Sequence, residues 1–190
     1  MEGIDMTAYE SGYKLLFHCA PTIYGVKSAN LFSLQNIDAD EADTILRRYS
    51  ALLRKRGLKA RIMKSGGSCA LFYVYNEKRI SKRLSSPAVR DFLESYGYKN
   101  ADSDLDRLQL RIASSKTFPH EIGVFLDYPL CDVKGFIENK GRNFKYSGCW
   151  KVYSDVAGSV RKFRRYDSCR EDACAKLRAG MSVSEVLLSA

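Results

Sequence analysis

Two imidazoles, His18 and His120, are the only side chains here whose ordinary pKa lies near neutrality, so ordinary acid/base chemistry would run through one of them. His18 directly precedes Cys19 at what reads as a strand end. His120 directly precedes Glu121 in the first turn of a helical pattern, where the helix dipole favours a carboxylate and disfavours a protonated imidazole. If the fold brings either imidazole to Cys19 or Cys149, a thiolate nucleophile becomes available, with Lys27 as an anion contact. The competing account is plainer: each histidine is bonded locally, and each cysteine is a small apolar core group.

Spacing removes other chemistries. Cys19, Cys69, Cys131, Cys149, Cys169 and Cys174 form no C-x-x-C pair, so neither a metal site nor a cofactor is expected, and reduced thiols are. Cys169 and Cys174 would stand about 140° apart on a helix. The segment Gly25-Val26-Lys27-Ser28 lacks the glycine that a phosphate-binding loop needs directly before its lysine, and no G-x-G-x-x-G, H-E-x-x-H or G-x-S-x-G occurs.

The elements that must position these residues follow from pattern. The apolar run at residues 13–19 reads as a strand stopped by Pro21. Asp38 or Asp40 caps a helix with Ala42, Ile45, Leu46, Tyr49, Leu52 and Leu53 on one stripe, and Gly57 ends it. Residues 58–64 and 69–75 read as a hairpin around Ser65-Gly66-Gly67-Ser68. Ser86-Pro87 opens a helix that stops at Gly97, and another spans residues 103–115. Pro119 and Pro129 open two short helices, and residues 144–153 read as a strand or hairpin around Gly148. Basic helical segments follow from 155 to 178, with an expected break near Asp167-Ser168. Ser182 to Glu185 is a capping box for a last helix.

These elements predict an α+β fold: a small antiparallel sheet with several helices in one domain over residues 1–190, with residues 118–190 as a candidate helical subdomain. The chain has 190 residues, 45% of them hydrophobic, which is enough for a sizeable core and excludes overall disorder. No stretch is apolar enough to span a bilayer, and the first residues do not resemble a secretory leader, so no membrane partner and a cytoplasmic location are expected.

The net charge of +9 is unevenly placed. Residues 1–46 carry two basic and seven acidic side chains, whereas residues 47–90 carry thirteen basic and one acidic. An anion-binding surface of Arg47, Arg48, Arg54, Lys55, Arg56, Lys59, Arg61 and Lys64 would gain affinity by releasing counterions from phosphates, with Tyr73 and Tyr75 adding stacking. Ordinary solvated faces and compensation of the helix dipole give the same composition. The apolar residues Ile122, Leu126, Val133 and Ile137, with the small Gly123, have the spacing of a helix-turn-helix, although the second helix offers few base-reading side chains.

Three phrases occur together: His18-Cys19-Ala20-Pro21-Thr22 with Lys27 and Asn30-Leu31-Phe32; Pro119 to Gly123 through Tyr128-Pro129; and Gly135 to Asn139 through Trp150 to Tyr153. On these phrases the chain resembles a bacterial family described as domain of unknown function 3793, from about residue 13 to about residue 170. Asp127 stands where that pattern commonly has glycine, and Ser28 where it has proline. The resemblance implies no activity. It implies instead a shared polar set that could line one pocket: His18, Cys19, Lys27, Asn30, His120, Glu121, Asn139, Trp150 and Lys151.

Two functions follow as expectations. The first is a non-enzymatic binding protein for an anionic partner, nucleic acid or another polyanion, through residues 47–90. The alternative is a small-molecule site or enzyme whose pocket lies around His18, Cys19, Lys27 and His120.

Overall fold

A computed structural model describes residues 6–99, 103–115 and 117–190; the first residues, read above for a leader, lie outside that description. In chain order the elements are α1 (Met6–Ile23), β1 (Ala29–Gln35), α2 (Ala39–Lys55), β2 (Lys59–Ser65), β3 (Cys69–Tyr75), α3 (Glu77–Leu84), α4 (Pro87–Glu94), α5 (Asp104–Ser114), α6 (Ile122–Phe125), α7 (Leu130–Glu138), β4 (Tyr146–Ser147), β5 (Lys151–Val152), α8 (Val156–Arg178) and α9 (Val183–Ser189). The fold is α+β, as expected. Two compact units are present: unit 1 is Met1–Glu77 with Tyr166–Ala190, and unit 2 is Lys78–Arg165.

Unit 1 holds a three-stranded antiparallel sheet in the order β1-β3-β2. One face presents Phe32, Leu34, Ala70, Phe72 and Val74 to the apolar stripes of α1, α2 and α9. The strand expected at residues 13–19 is instead part of α1. Its buried positions Ser11, Gly12, Leu15, Leu16, Cys19, Ala20 and Ile23 recur every three to four residues, whereas Tyr13 and Phe17 are exposed, so the helical stripe outweighs the local apolar run. Pro21 lies inside the last turn of this helix, which runs on to Ile23, and not at a strand end. Its carbonyl accepts from Val26 N and Lys27 N at 2.8 and 2.9 Å, and Gly25 turns the chain with a φ of 70°. No expected element matches β1. The helix and hairpin that follow are as expected: Asp38 Oδ1 accepts from Glu41 N at 2.8 Å, Glu41 Oε2 accepts from Asp38 N at 2.9 Å, and β2 and β3 pair across the glycine loop.

Unit 2 is mostly helical, with the two-stranded antiparallel β4-β5 hairpin around Gly148. Its buried ion pairs tie helices to loops. Arg90 Nη1 donates to the fully buried Asp104 at 2.6 Å, and Arg90 Nη2 donates to the Tyr98 carbonyl at 3.2 Å. Asp167 and Ser168 do not break α8, because both lie on its exposed side, where polar residues cost a helix little.

Candidate functional site

The site is built on the α6-α7 corner of unit 2. A Cβ at Gly123 would lie 2.8 Å from Val133 Cγ2, so the small residue does let the two helices cross closely. Between them Asp127 has a φ of 65°, the left-handed backbone that explains why glycine suits this position. Arg83 clamps the turn: Nε donates to the Val124 carbonyl at 2.8 Å, Nη2 donates to the Tyr128 carbonyl, and Nη1 lies 3.4 Å from the Asp127 carboxylate. Tyr128 is thereby held in place.

Asp132, 2% exposed, fastens the hairpin to α7. Its Oδ2 accepts from Trp150 Nε1 at 2.8 Å, and Oδ1 accepts from Tyr153 N, Ser154 N and Ser154 Oγ at 2.9, 3.0 and 2.8 Å. Bonds to a charged acceptor contribute more than neutral ones, on the order of 1.5–3 kcal/mol each. Trp150 so fixed stacks on Tyr128, with centroids 4.8 Å apart, and meets Phe163 edge-on at 4.5 Å. The hairpin runs so close to Phe163 that a Cβ at Gly148 would lie 2.4 Å from its ring.

These groups enclose a cavity of about 340 Å³, walled by His120, Tyr128, Val133, Phe136, Trp150 and Lys151, with Asp132 in its lining. His120 meets Phe136 edge-on at 4.9 Å. Lys151 Nζ donates to the Gly141 carbonyl at 2.7 Å and lies 4.8 Å from the Phe144 ring centre and 5.8 Å from that of Phe136. Among the described residues the His120 imidazole is bonded to no carboxylate or thiol. His120 also lines a second cavity, of about 450 Å³, with Arg111, Ser115, Thr117 and Glu121. There Glu121, 2% exposed, accepts from Arg111 Nε at 2.6 Å and from the Tyr98 hydroxyl at 3.0 Å. Burial, and then the Glu121 charge, push the Tyr98 hydroxyl well above its ordinary pKa, so it serves as a donor.

The anticipated polar set divides between the units. His120, Trp150 and Lys151 line one cavity. Glu121 belongs to its neighbour, while Asn139 caps α7, its Nδ2 donating to the Gly135 carbonyl at 2.9 Å. His18, Cys19, Lys27 and Asn30 belong to unit 1. His18 is on a helix, not at a strand end; its ring stands 5.2 Å from Phe17 and 6.2 Å from Phe32. Burial, then Arg170 and Lys14, lower its pKa. Cys19 is fully buried, which raises the pKa of its thiol far above the ordinary value despite an opposing pull from Lys27, the reverse of what activates a nucleophile. Lys27 is buried with its Nζ 5.7 Å from the Tyr166 ring centre, and Asn30 Oδ1 accepts from Thr22 Oγ1 at 2.7 Å.

The basic segment is also divided. Arg47, Arg48, Arg54 and Lys55 are exposed along the side of α2 opposite the buried Ala42, Ile45, Tyr49 and Leu53. Arg56 donates to the Ala190 carbonyl, and Lys59 pairs with Glu77 at 2.6 Å. Arg61 is half-buried on edge strand β2, opposite Tyr73, and Lys64 is exposed beyond a bulge. Tyr73 and Tyr75 stack on each other and are buried, so neither presents a face for a base. In the helix pair, α6 is a single buried turn, and the Asp132 carboxylate of α7 is committed to the hairpin.

Sequence reasoning missed Asp132, Tyr128, Phe136 and Arg83 as site builders. The one available signal was an aspartate in the first turn after Pro129, which reads equally as dipole compensation. Among the described residues no three His, Cys, Asp or Glu side chains converge, no helix is long and apolar enough to cross a membrane, and the six cysteines form no disulfide.

No curated protein and no solved structure matches the chain. Residues 15–187 match the family described as Protein of unknown function (DUF3793), and the chain belongs to that family.

Proposed function

We propose that unit 2 binds a small molecule carrying a planar ring and an anionic group. The observation that carries this reading is Lys151 in the wall of a cavity of about 340 Å³ that Tyr128, Phe136 and Trp150 also line. A preformed, largely apolar concavity with a few polar groups is what a ligand site needs. The rings line the cavity with aromatic surface, and the Lys151 ammonium has three donors, of which the Gly141 carbonyl takes one. Asp132 is occupied by four protein donors and acts as scaffold. Binding rather than turnover fits a cavity whose imidazole has no carboxylate or thiol partner among the described residues.

Trp150 is the chain's one tryptophan, so its emission reports on this cavity directly. Adenosine 5′-monophosphate and phenyl phosphate should quench it saturably, and adenosine and phenol more weakly. The absence of saturable change with all four overturns the reading.

A second reading is polyanion binding along the outer side of α2, favoured by the exposure of Arg47, Arg48, Arg54 and Lys55 on one helical face. A salt-sensitive affinity for double-stranded DNA that disappears in R54Q/K55Q would support it; equal affinity in that variant would overturn it.

A further inference from the structure

We infer that the outer surface of the β4-β5 hairpin and the loop before it is a platform for single-stranded nucleic acid, and that the ring entering the unit 2 cavity is one of its bases. This rests on the reading above that the cavity takes a planar ring.

The charge is concentrated in sequence. Residues 139–154 contain Lys140, Arg142, Lys145 and Lys151 and no aspartate or glutamate. Lys140, Arg142 and Lys145 are all exposed. Among them stand two large rings that water would ordinarily drive inward: Phe144, 41% exposed, and Tyr146, 42% exposed. The two flank the bend at Lys145, where the chain enters β4. Neither ring is loose. Tyr146 stacks on Phe163 with centroids 6.1 Å apart, and Phe144 has Lys151 Nζ 4.8 Å from its centre.

Exposed rings interleaved with cations are the arrangement that binds single strands: bases stack on the rings while Lys and Arg follow the phosphates. A duplex hides its ring faces, so it would use the cations and waste the rings. Continuity with the cavity sharpens the assignment. Ser147, Gly148, Trp150 and Lys151 belong to the same hairpin and line the cavity. A strand lying across Phe144 and Tyr146 therefore has a ring-lined recess beside it for one unstacked base. Lys151, which lines the cavity with its Nζ 4.8 Å from the Phe144 ring centre, is placed to meet that nucleotide's phosphate.

The test uses the full chain and a fluorescein-labelled twelve-residue thymidine oligonucleotide, read by anisotropy and by Trp150 emission. With three phosphate contacts, affinity should fall about 20-fold between about 50 and about 200 mM salt. R142E/K145E changes only exposed side chains and should weaken binding at least tenfold, and F144A/Y146A about tenfold. R54E/K55E on α2 should leave it unchanged. Saturation must also quench Trp150.

Binding unaffected by R142E/K145E, saturation without a change in Trp150 emission, or equal competition from polyglutamate each overturns the inference. Quenching by adenosine 5′-monophosphate without oligonucleotide binding overturns it too, while leaving the small-molecule reading standing. Silence of Trp150 toward the oligonucleotide and all four small ligands overturns both.

Discussion

The outer side of α2 and the hairpin side of the unit 2 cavity both collect cations, yet they use them differently. On α2 the acidic Asp40 and Glu41 stand in the first turn and Arg54 and Lys55 in the last, the order that compensates a helix dipole, and the side chains extend into solvent. In unit 2 Lys151 is bonded to a carbonyl, flanked by rings and set in the wall of a concavity. Charge density alone therefore does not separate a cation that extends into solvent from one held in the wall of a concavity.

That contrast can be broken experimentally. The largest expected effect is Asp132→Ala, which leaves four donors without their acceptor; unit 2 should lose about 3–5 kcal/mol, read as a lower urea midpoint, and a loss under about 1 kcal/mol would remove Asp132 as the fastener. Gly148→Ala comes next: a Cβ 2.4 Å from Phe163 should cost about 1–3 kcal/mol and shift Trp150 emission, since Phe163 must yield. Lys151→Met should weaken quenching by adenosine 5′-monophosphate about tenfold, and should cost about 1 kcal/mol of stability because the Gly141 carbonyl loses its donor. The α2 variant R47Q/R48Q should change stability by less than about 0.5 kcal/mol. A larger change would show that α2 cations are structural after all.

A pH dependence belongs to unit 1. The folded state lowers the pKa of His18 through burial, Arg170 and Lys14, so the folded chain resists the proton that the unfolded chain accepts near its ordinary value of 6.5. Stability is complete above that pH and falls as the pH drops below it toward the folded value. His18→Gln should therefore flatten the loss of thermal midpoint between about pH 7 and pH 5.5, and an unchanged slope would show that other groups set it.

Much of the fold was legible because it is local. The Asp38 and Ser182 capping boxes, the Gly57 stop, the Gly66-Gly67 hairpin and the proline-opened pair α6 and α7 are all short-range devices. Where local and longer patterns competed, the local one misled. The run from Tyr13 to Cys19 suggested a strand, although Leu15, Leu16, Cys19 and Ile23 mark a helix when the whole stretch is weighed. The eight-residue α3 escaped notice because only Ile80 and Leu84 face inward.

The candidate site was legible only in part, for a physical reason. Trp150 and Lys151 were in view through the family resemblance and His120 as one of two imidazoles, whereas the role of Asp132 exists only where the hairpin donors meet it. Composition and spacing determined the α+β class, the caps, the turns and the excess of cations. Contacts between residues distant in sequence decided the rest: that Cys19 is a core residue, that Tyr73 and Tyr75 are buried, and that Tyr128, Phe136, Trp150 and Lys151 line one cavity. Periodicity records which side of an element is apolar, whereas a concavity exists only where several such sides meet and fail to fill the space between them.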